Sequence, residues 1–327
     1  MGKTFFKLFG CVFTVVGSMI GAGFITGKEI AVFFCSDLSL SGIYACCVFF
    51  FLYILILSFS PFSAFVKIFR VIVAVTGIVI SACMTAALNS LYQAIFRQSE
   101  NIKILTIITV ILSFFMCLKG IGAINVFSIF AMPFTVATVF ILSFVNDRGI
   151  SVPASPVGLS GAFMPLLYTG INCLLSSTII VDSSRGLNAR GKIIVAFSVS
   201  FFLFVSILRI SLCVVGKSGE MPFINAVAND AVSSVIAFAI TFFSIVTTLV
   251  SSLYSAFSLT KGKTSVLQKI ALTLVVVMFS GFGFSVFVEK IYPVIGVTGI
   301  VYLVIVFAGF FPKERRGRTL VPIKCKV

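Results

Sequence analysis

Apolar residues along this chain gather in long unbroken runs, and polar or Pro/Gly-containing residues gather in short stretches between them. The runs lack the two-residue alternation of a half-buried strand, and most are too long for a soluble core helix. At 1.5 Å per residue, roughly 20 apolar residues cross about 30 Å of hydrocarbon. The pattern therefore predicts helices at 5–34, 40–60, 70–94, 103–118 and 121–145, and again at 161–184, 192–215, 232–259, 266–287 and 290–311. The fold class expected is an all-α integral membrane protein with about ten transmembrane helices.

The ten runs divide into two sets of five. Residues 1–145 form the first, 146–160 a linker on the outer side containing Pro153 and Pro156, 161–311 the second, and 312–327 a basic tail. Because five is odd, the second set crosses the membrane in the opposite sense to the first, which an inverted repeat requires. Charge gives an independent check. With the amino terminus inside, 17 Lys and Arg residues fall on the cytoplasmic side and 5 outside. That asymmetry predicts both termini in the cytoplasm of a cell membrane.

Composition narrows the classes. The chain of 327 residues is 60% hydrophobic and 10% charged, with a mean hydropathy of +1.22. Its net charge of +15 is spread singly between apolar runs, unlike the clustered basic face of a nucleic-acid binder. Nine cysteines and no histidine are present. Cys11, Cys46, Cys47, Cys83, Cys117, Cys173 and Cys213 lie inside apolar runs, where a thiol acts as a small hydrophobe. No CxxC or Cys/His spacing predicts a zinc site, and no carboxylate pair or triad predicts an enzyme. Lys3 and Lys7 before an apolar run resemble a signal peptide, but the run continues to Phe34, which predicts a retained helix.

Two runs look interruptible. The first reads Gly17-Ser18-Met19-Ile20-Gly21-Ala22-Gly23-Phe24-Ile25-Thr26-Gly27, with four glycines in eleven residues. The sixth reads Pro165-Leu166-Leu167-Tyr168-Thr169-Gly170-Ile171-Asn172. Each glycine costs a helix interior about 1 kcal/mol relative to alanine. Backbone unwound at membrane depth must line a cavity or bind something. The alternative is that the GxxxG spacings Gly17–Gly21 and Gly23–Gly27 only let helices pack closely.

Gly17-Ser18-Met19-Ile20-Gly21-Ala22-Gly23-Phe24, continuing through Gly27, Glu29, Ile30, Phe33 and Phe34, resembles the first-helix signature of the YkvI-like membrane proteins. These are relatives of the amino acid–polyamine–organocation superfamily, whose LeuT-type fold is a 5+5 inverted repeat with helices 1 and 6 broken. Lys28 departs from the pattern, where glutamine is usual.

The resemblance implies a secondary active transporter of a small solute, an amino acid or related zwitterion or amine, coupled to sodium or protons by alternating access. It implies substrate contacts from Ser18, Ala22 and Gly23 and from Tyr168, Thr169, Gly170 and Asn172. The amides of Ala22 and Gly23 would face a carboxylate, and carbonyls near Met19 and Leu167 an ammonium. It also implies one sodium ion, held by carbonyls of Gly17, Ile20 and Ser244 and hydroxyls of Thr247 and Thr248, with Ser251-Ser252 as an alternative hydroxyl pair. Phe24 stands where a second sodium site would need an amide, so no second ion and no other cofactor are expected. Glu29, an intramembrane carboxylate, is a candidate proton carrier or outer gate, the alternative being a solvated vestibule residue. Asp182 is expected to pair with Arg185, and Arg209 to snorkel. The competing function is a nutrient receptor on the same fold that binds without transporting.

Overall fold

The computed structural model describes residues 2–35, 40–59, 66–96, 102–145, 159–217, 219–257 and 266–310. The linker expected at 146–160 lies almost wholly outside them, and the tail at 312–327 wholly so. Among the described residues every regular element is helical. In order these are α1 (Gly2–Met19), α2 (Ala22–Ile25), α3 (Lys28–Phe34), α4 (Leu40–Phe59), α5 (Val66–Phe96), α6 (Ile102–Leu118) and α7 (Ile121–Val145). They continue as α8 (Leu159–Ser183), α9 (Ala189–Val214), α10 (Pro222–Val227), α11 (Ala231–Ala256) and α12 (Val266–Phe279). A 3-10 turn, Ser280–Phe282, then leads to α13 (Phe284–Val286), a π-helical turn (Phe287–Ile291) and α14 (Tyr292–Phe310).

Among the described residues seven helical segments are long and apolar enough to cross a membrane: Ser41–Phe59, Phe69–Ile95, Ile121–Val145, Phe163–Ser183, Ala189–Val214, Ala231–Ala256 and Phe284–Ala308. Three further apolar helices are shorter, Phe5–Met19, Ile102–Leu118 and Val266–Phe282. Apolar side chains cover the outside. Phe115 on α6, Phe130 on α7, Phe197 on α9, Val235 on α11 and Met278 on α12 are all more than half exposed. A water-facing surface would not tolerate so continuous an apolar coat, whereas lipid solvates it. The chain is a multi-pass helical membrane protein.

Helix starts follow ordinary capping. Asn188 accepts the Gly191 amide at 2.8 Å to open α9. Asp230 accepts the Ser233 amide at 2.7 Å while the Ser233 hydroxyl receives the Asp230 amide, a reciprocal box that opens α11. These bonds hold the Asp230 carboxyl below its ordinary pKa, chiefly because the Ser233 amide favours the charged form.

Packing is tightest through the middle. The pairs α8 with α14, α5 with α11 and α4 with α9 form the largest interfaces, and α1 lies against α7, α8, α9 and α11. At the α8–α14 crossing a Cβ on Gly170 would meet the Gly296 oxygen at 2.6 Å and the Ile300 nitrogen at 2.8 Å. Backbone therefore packs on backbone, the close approach that stands in for a hydrophobic drive between helices in lipid.

Two expectations are corrected. The break expected in the sixth run is absent, because α8 is continuous from Leu159 to Ser183 with Pro165 inside it. Its polar groups bond back within the helix: Thr169 to the Pro165 carbonyl at 2.9 Å, Asn172 to Tyr168 at 3.1 Å and Ser176 to Asn172 at 2.6 Å. Side chains thus satisfied locally create no demand to unwind. The boundary expected between 287 and 290 falls instead at Gly283, whose φ of +84° and ψ of 147° end the preceding turn.

Candidate functional site

The first run is broken where its glycines predict. Regular bonding from α1 ends with the Ile20 amide on the Val16 carbonyl at 2.8 Å and resumes with Ile25 on Gly21 at 3.0 Å. Between them no amide from Gly21 to Phe24 bonds to a carbonyl of α1. A second kink follows at Gly27, with φ +79°. There a Cβ would meet Val214 at 2.7 Å and the Phe223 Cβ at 2.8 Å, while the Phe223 amide donates to the Thr26 carbonyl at 2.8 Å. Only glycine meets both demands.

The carbonyls released by the break find partners on α11. Thr248 donates to the Gly17 oxygen at 2.9 Å and approaches the Ile20 oxygen at 3.3 Å. Ser244 donates its hydroxyl to Ile20 at 2.6 Å. All of these residues are buried. Thr247 turns differently, donating to the Ser244 carbonyl at 2.9 Å and lying 3.5 Å from the Met132 sulfur. The structure therefore brings Gly17, Ile20, Ser244, Thr247 and Thr248 together. It is the Ser244 hydroxyl that reaches α1, while the Ser244 carbonyl accepts from Thr247. The alternative pair is directed elsewhere in part, since Ser252 pairs with Ser81 on α5 at 2.8 Å. The assembled donors are neutral carbonyl and hydroxyl oxygens, which suit a hard monovalent cation.

On the far side of the break Glu29 is buried, 5% exposed, and its carboxyl lies over Gly23, where a Cβ would collide with Oε1, Cδ and Cγ. Among the described residues no hydrogen bond or ion pair reaches this carboxyl. Lys28, its neighbour, points away and pairs with Glu289 at 2.6 Å. Tyr168, Tyr292 and Cys83 are close enough to Glu29 to interact electrostatically. The Tyr292 hydroxyl donates to the Cys83 sulfur at 3.3 Å. The Tyr168 hydroxyl makes no hydrogen bond among the described residues, although the Asn172 amide is close enough to interact with it. Phe34, Phe33 and Phe50 surround the Tyr168 ring at centroid distances of 5.2, 5.8 and 6.4 Å.

Of the other substrate candidates, Ala22 and Gly23 lie buried in α2. Ser18 donates to its own helix at the Val15 carbonyl, 2.7 Å away. Thr169 faces Cys46 on α4 at 3.0 Å, and Gly170 lies in the α14 crossing, so both serve packing. Asp182 does pair with Arg185 at 3.2 Å and also accepts the Tyr254 hydroxyl at 2.7 Å. Arg209 bonds the Ser143 carbonyl at 3.0 Å and lies 3.7 Å from the Phe144 ring. Sequence reasoning did not single out Tyr292 or Glu289, and it read Cys83 only as a small hydrophobe in an apolar run; all three sit in helical, mostly apolar context. Lys28 and Glu289 are 261 positions apart, so no local signal connects them.

No protein-family model matches the chain, and no curated protein matches it in sequence. The class rests on the fold and the site together: a multi-pass helical membrane protein with a broken, buried first helix.

Proposed function

We propose that this protein is a secondary transporter that carries a small solute, an amino acid, related zwitterion or amine, through the break between α1 and α3. One observation carries the reading. A segment of backbone is unwound inside the bundle, its carbonyls held by hydroxyls of a distant helix, and against it lies a carboxyl with no hydrogen bond or ion pair among the described residues. Such a segment is costly in a membrane protein and is kept where ions or solutes bind.

The pattern of helix contacts supports a 5+5 inverted repeat of ten spans, the LeuT-type arrangement that the first-helix signature resembles. Pairings recur under the exchange of the two halves: α1 with α7 matches α8 with α14, α4 with α8 matches α9 with α1, and α5 with α12 matches α11 with α6. The lipid-like coat on α6 and α12 supports counting these shorter helices as spans. The continuous α8 is the departure from that arrangement. On this reading both termini are cytoplasmic, in a cell membrane.

Gly17, Ile20, Ser244 and Thr248, with Thr247 beside them, would hold a sodium ion, which supplies coupling to its own gradient when bound. The same hydroxyls donate to the Gly17 and Ile20 carbonyls and keep α1 against α11. Alternatively Glu29 carries the coupling proton. Its neighbours are Tyr168 on α8, Tyr292 on α14 and Cys83 on α5, while Lys28 is held by Glu289.

Uptake into proteoliposomes tests the proposal. Labelled amino acids and amines should accumulate inside when a sodium or proton gradient is imposed, and collapse of both gradients should abolish accumulation. Saturable binding without accumulation would replace the transporter with a receptor.

A further inference from the structure

The break is lined by a buried carboxyl that has no partner among the described residues. Glu29 is 5% exposed and receives no hydrogen bond or ion pair among the described residues, and the adjacent cation, Lys28, is engaged by Glu289 at 2.6 Å. The groups that interact with it, Tyr168, Tyr292 and Cys83, are neutral side chains from three other helices. A buried carboxyl held this way lacks the partner that buried ionisable groups ordinarily have. The adjoining Tyr168 hydroxyl, on a residue 1% exposed, makes no hydrogen bond among the described residues, with the Asn172 amide close by.

We propose that this site takes an amine, an organic ammonium without a neighbouring carboxylate, with its charge against Glu29, the Tyr168 hydroxyl as an acceptor and the rings around it as an apolar wall. The inference rests on reading the break as the solute site. It narrows the solute for a steric and an electrostatic reason. The Glu29 carboxyl lies against Gly23, one of the two residues whose amides the resemblance would turn toward a substrate carboxylate. An α-amino acid that set its ammonium against Glu29 would hold its own carboxylate only two bonds from that ammonium, and so close to the Glu29 carboxylate that the two like charges repel. Removing the carboxylate removes the conflict. Phe33, Phe34 and Phe50, with Tyr168, present ring faces and edges that suit alkyl or aryl substituents and a cation.

Matched pairs test this on the full-length protein in detergent at pH 7. The probes are 2-phenylethylammonium against L-phenylalanine, 3-methylbutylammonium against L-leucine, and 3-phenylpropanoate as the anion control, each titrated to about 10 mM at constant salt and read as a shift in Tm. At least one ammonium should stabilise saturably, about tenfold or more tighter than its amino acid, and 3-phenylpropanoate should not. Glu29→Gln should weaken the ammonium about tenfold or more, and Tyr168→Phe by less. Equal or tighter binding of the amino acid, binding of the anion, or no binding of any probe would overturn the inference. A Glu29→Gln variant that folds and binds the ammonium normally would do the same. If Glu29→Gln does not fold, the wild-type pairs still decide. An ammonium that binds but is not accumulated by proteoliposomes would leave this inference standing and remove the transporter. Accumulated amino acids with no amine preference would do the reverse.

Discussion

Replacing Thr248 by Val removes one hydroxyl and little volume at the point where α11 holds the broken helix. Thr248 donates to the Gly17 carbonyl at 2.9 Å, and the Gly21 amide that would cap that carbonyl in a continuous helix does not bond to it. Gly17 is thus left with an unmatched oxygen in a buried place. A hydrogen bond between membrane helices contributes about 0.6 kcal/mol on average, because the unfolded chain in lipid finds other partners. Leaving a buried carbonyl unsatisfied raises the cost to about 1–3 kcal/mol. Ser244→Ala should cost less, since Ile20 keeps Thr248 at 3.3 Å. The double variant strips both donors from Ile20, and should exceed the sum of the singles by about 0.5 kcal/mol or more. Reversible unfolding in mixed micelles gives the three values, and hydrogen exchange over residues 17–24 locates the change. Thr248→Val indistinguishable from wild type, or Ser244→Ala costlier than Thr248→Val, would refute the assignment of these bonds as the hold on the break.

Three further outcomes are expected. Gly27→Ala should lower stability by about 1–3 kcal/mol, because φ of +79° disfavours a Cβ and Phe223 and Val214 leave it no room; unfolding midpoints check it. If sodium couples transport, it should raise the wild-type Tm, and Thr248→Val or Ser244→Ala should weaken that dependence about ten- to a hundredfold; indifference of the wild type to sodium would move coupling to the proton, where Glu29→Gln should alter the pH dependence of uptake. Asp230 has its pKa lowered by folding, so its contribution is present above the unfolded carboxylate range and is lost as pH falls through the folded value; Asp230→Ala should speed exchange of the Ser233 amide at neutral pH and make no difference at strongly acidic pH.

The all-helical, multi-pass character was legible because a bilayer imposes length and composition on a crossing, and seven segments among the described residues meet that demand. The break at Gly17–Gly27 was legible for the same reason, since glycines at membrane depth have few uses. The supposed break at Pro165–Asn172 misled because proline and polar side chains also occur in helices that satisfy them internally, as Thr169, Asn172 and Ser176 do. Glycine there marked a helix crossing, which sequence cannot tell from a hinge without knowing that Gly296 and Ile300 lie opposite Gly170. The oxygen cluster at Gly17, Ile20, Ser244 and Thr248 was reached through a resemblance, because nothing local connects residues more than 220 positions apart. Lys28 with Glu289 was beyond reach for that reason too. Glu29 could be flagged as an intramembrane carboxylate, but its lack of a partner among the described residues is a property of the packed helices alone.

Alternating access at the break is the central claim, and two-sided accessibility tests it without knowing the solute. Ala22→Cys in a background free of the native cysteines puts a thiol at the start of α2, which is fully buried in this state. Reconstituted in one orientation and exposed to a membrane-impermeant thiol reagent from either side, that cysteine should react from both sides, with the balance shifted by ligand or coupling ion. Reaction from one side only under every condition, or from neither, would contradict the account.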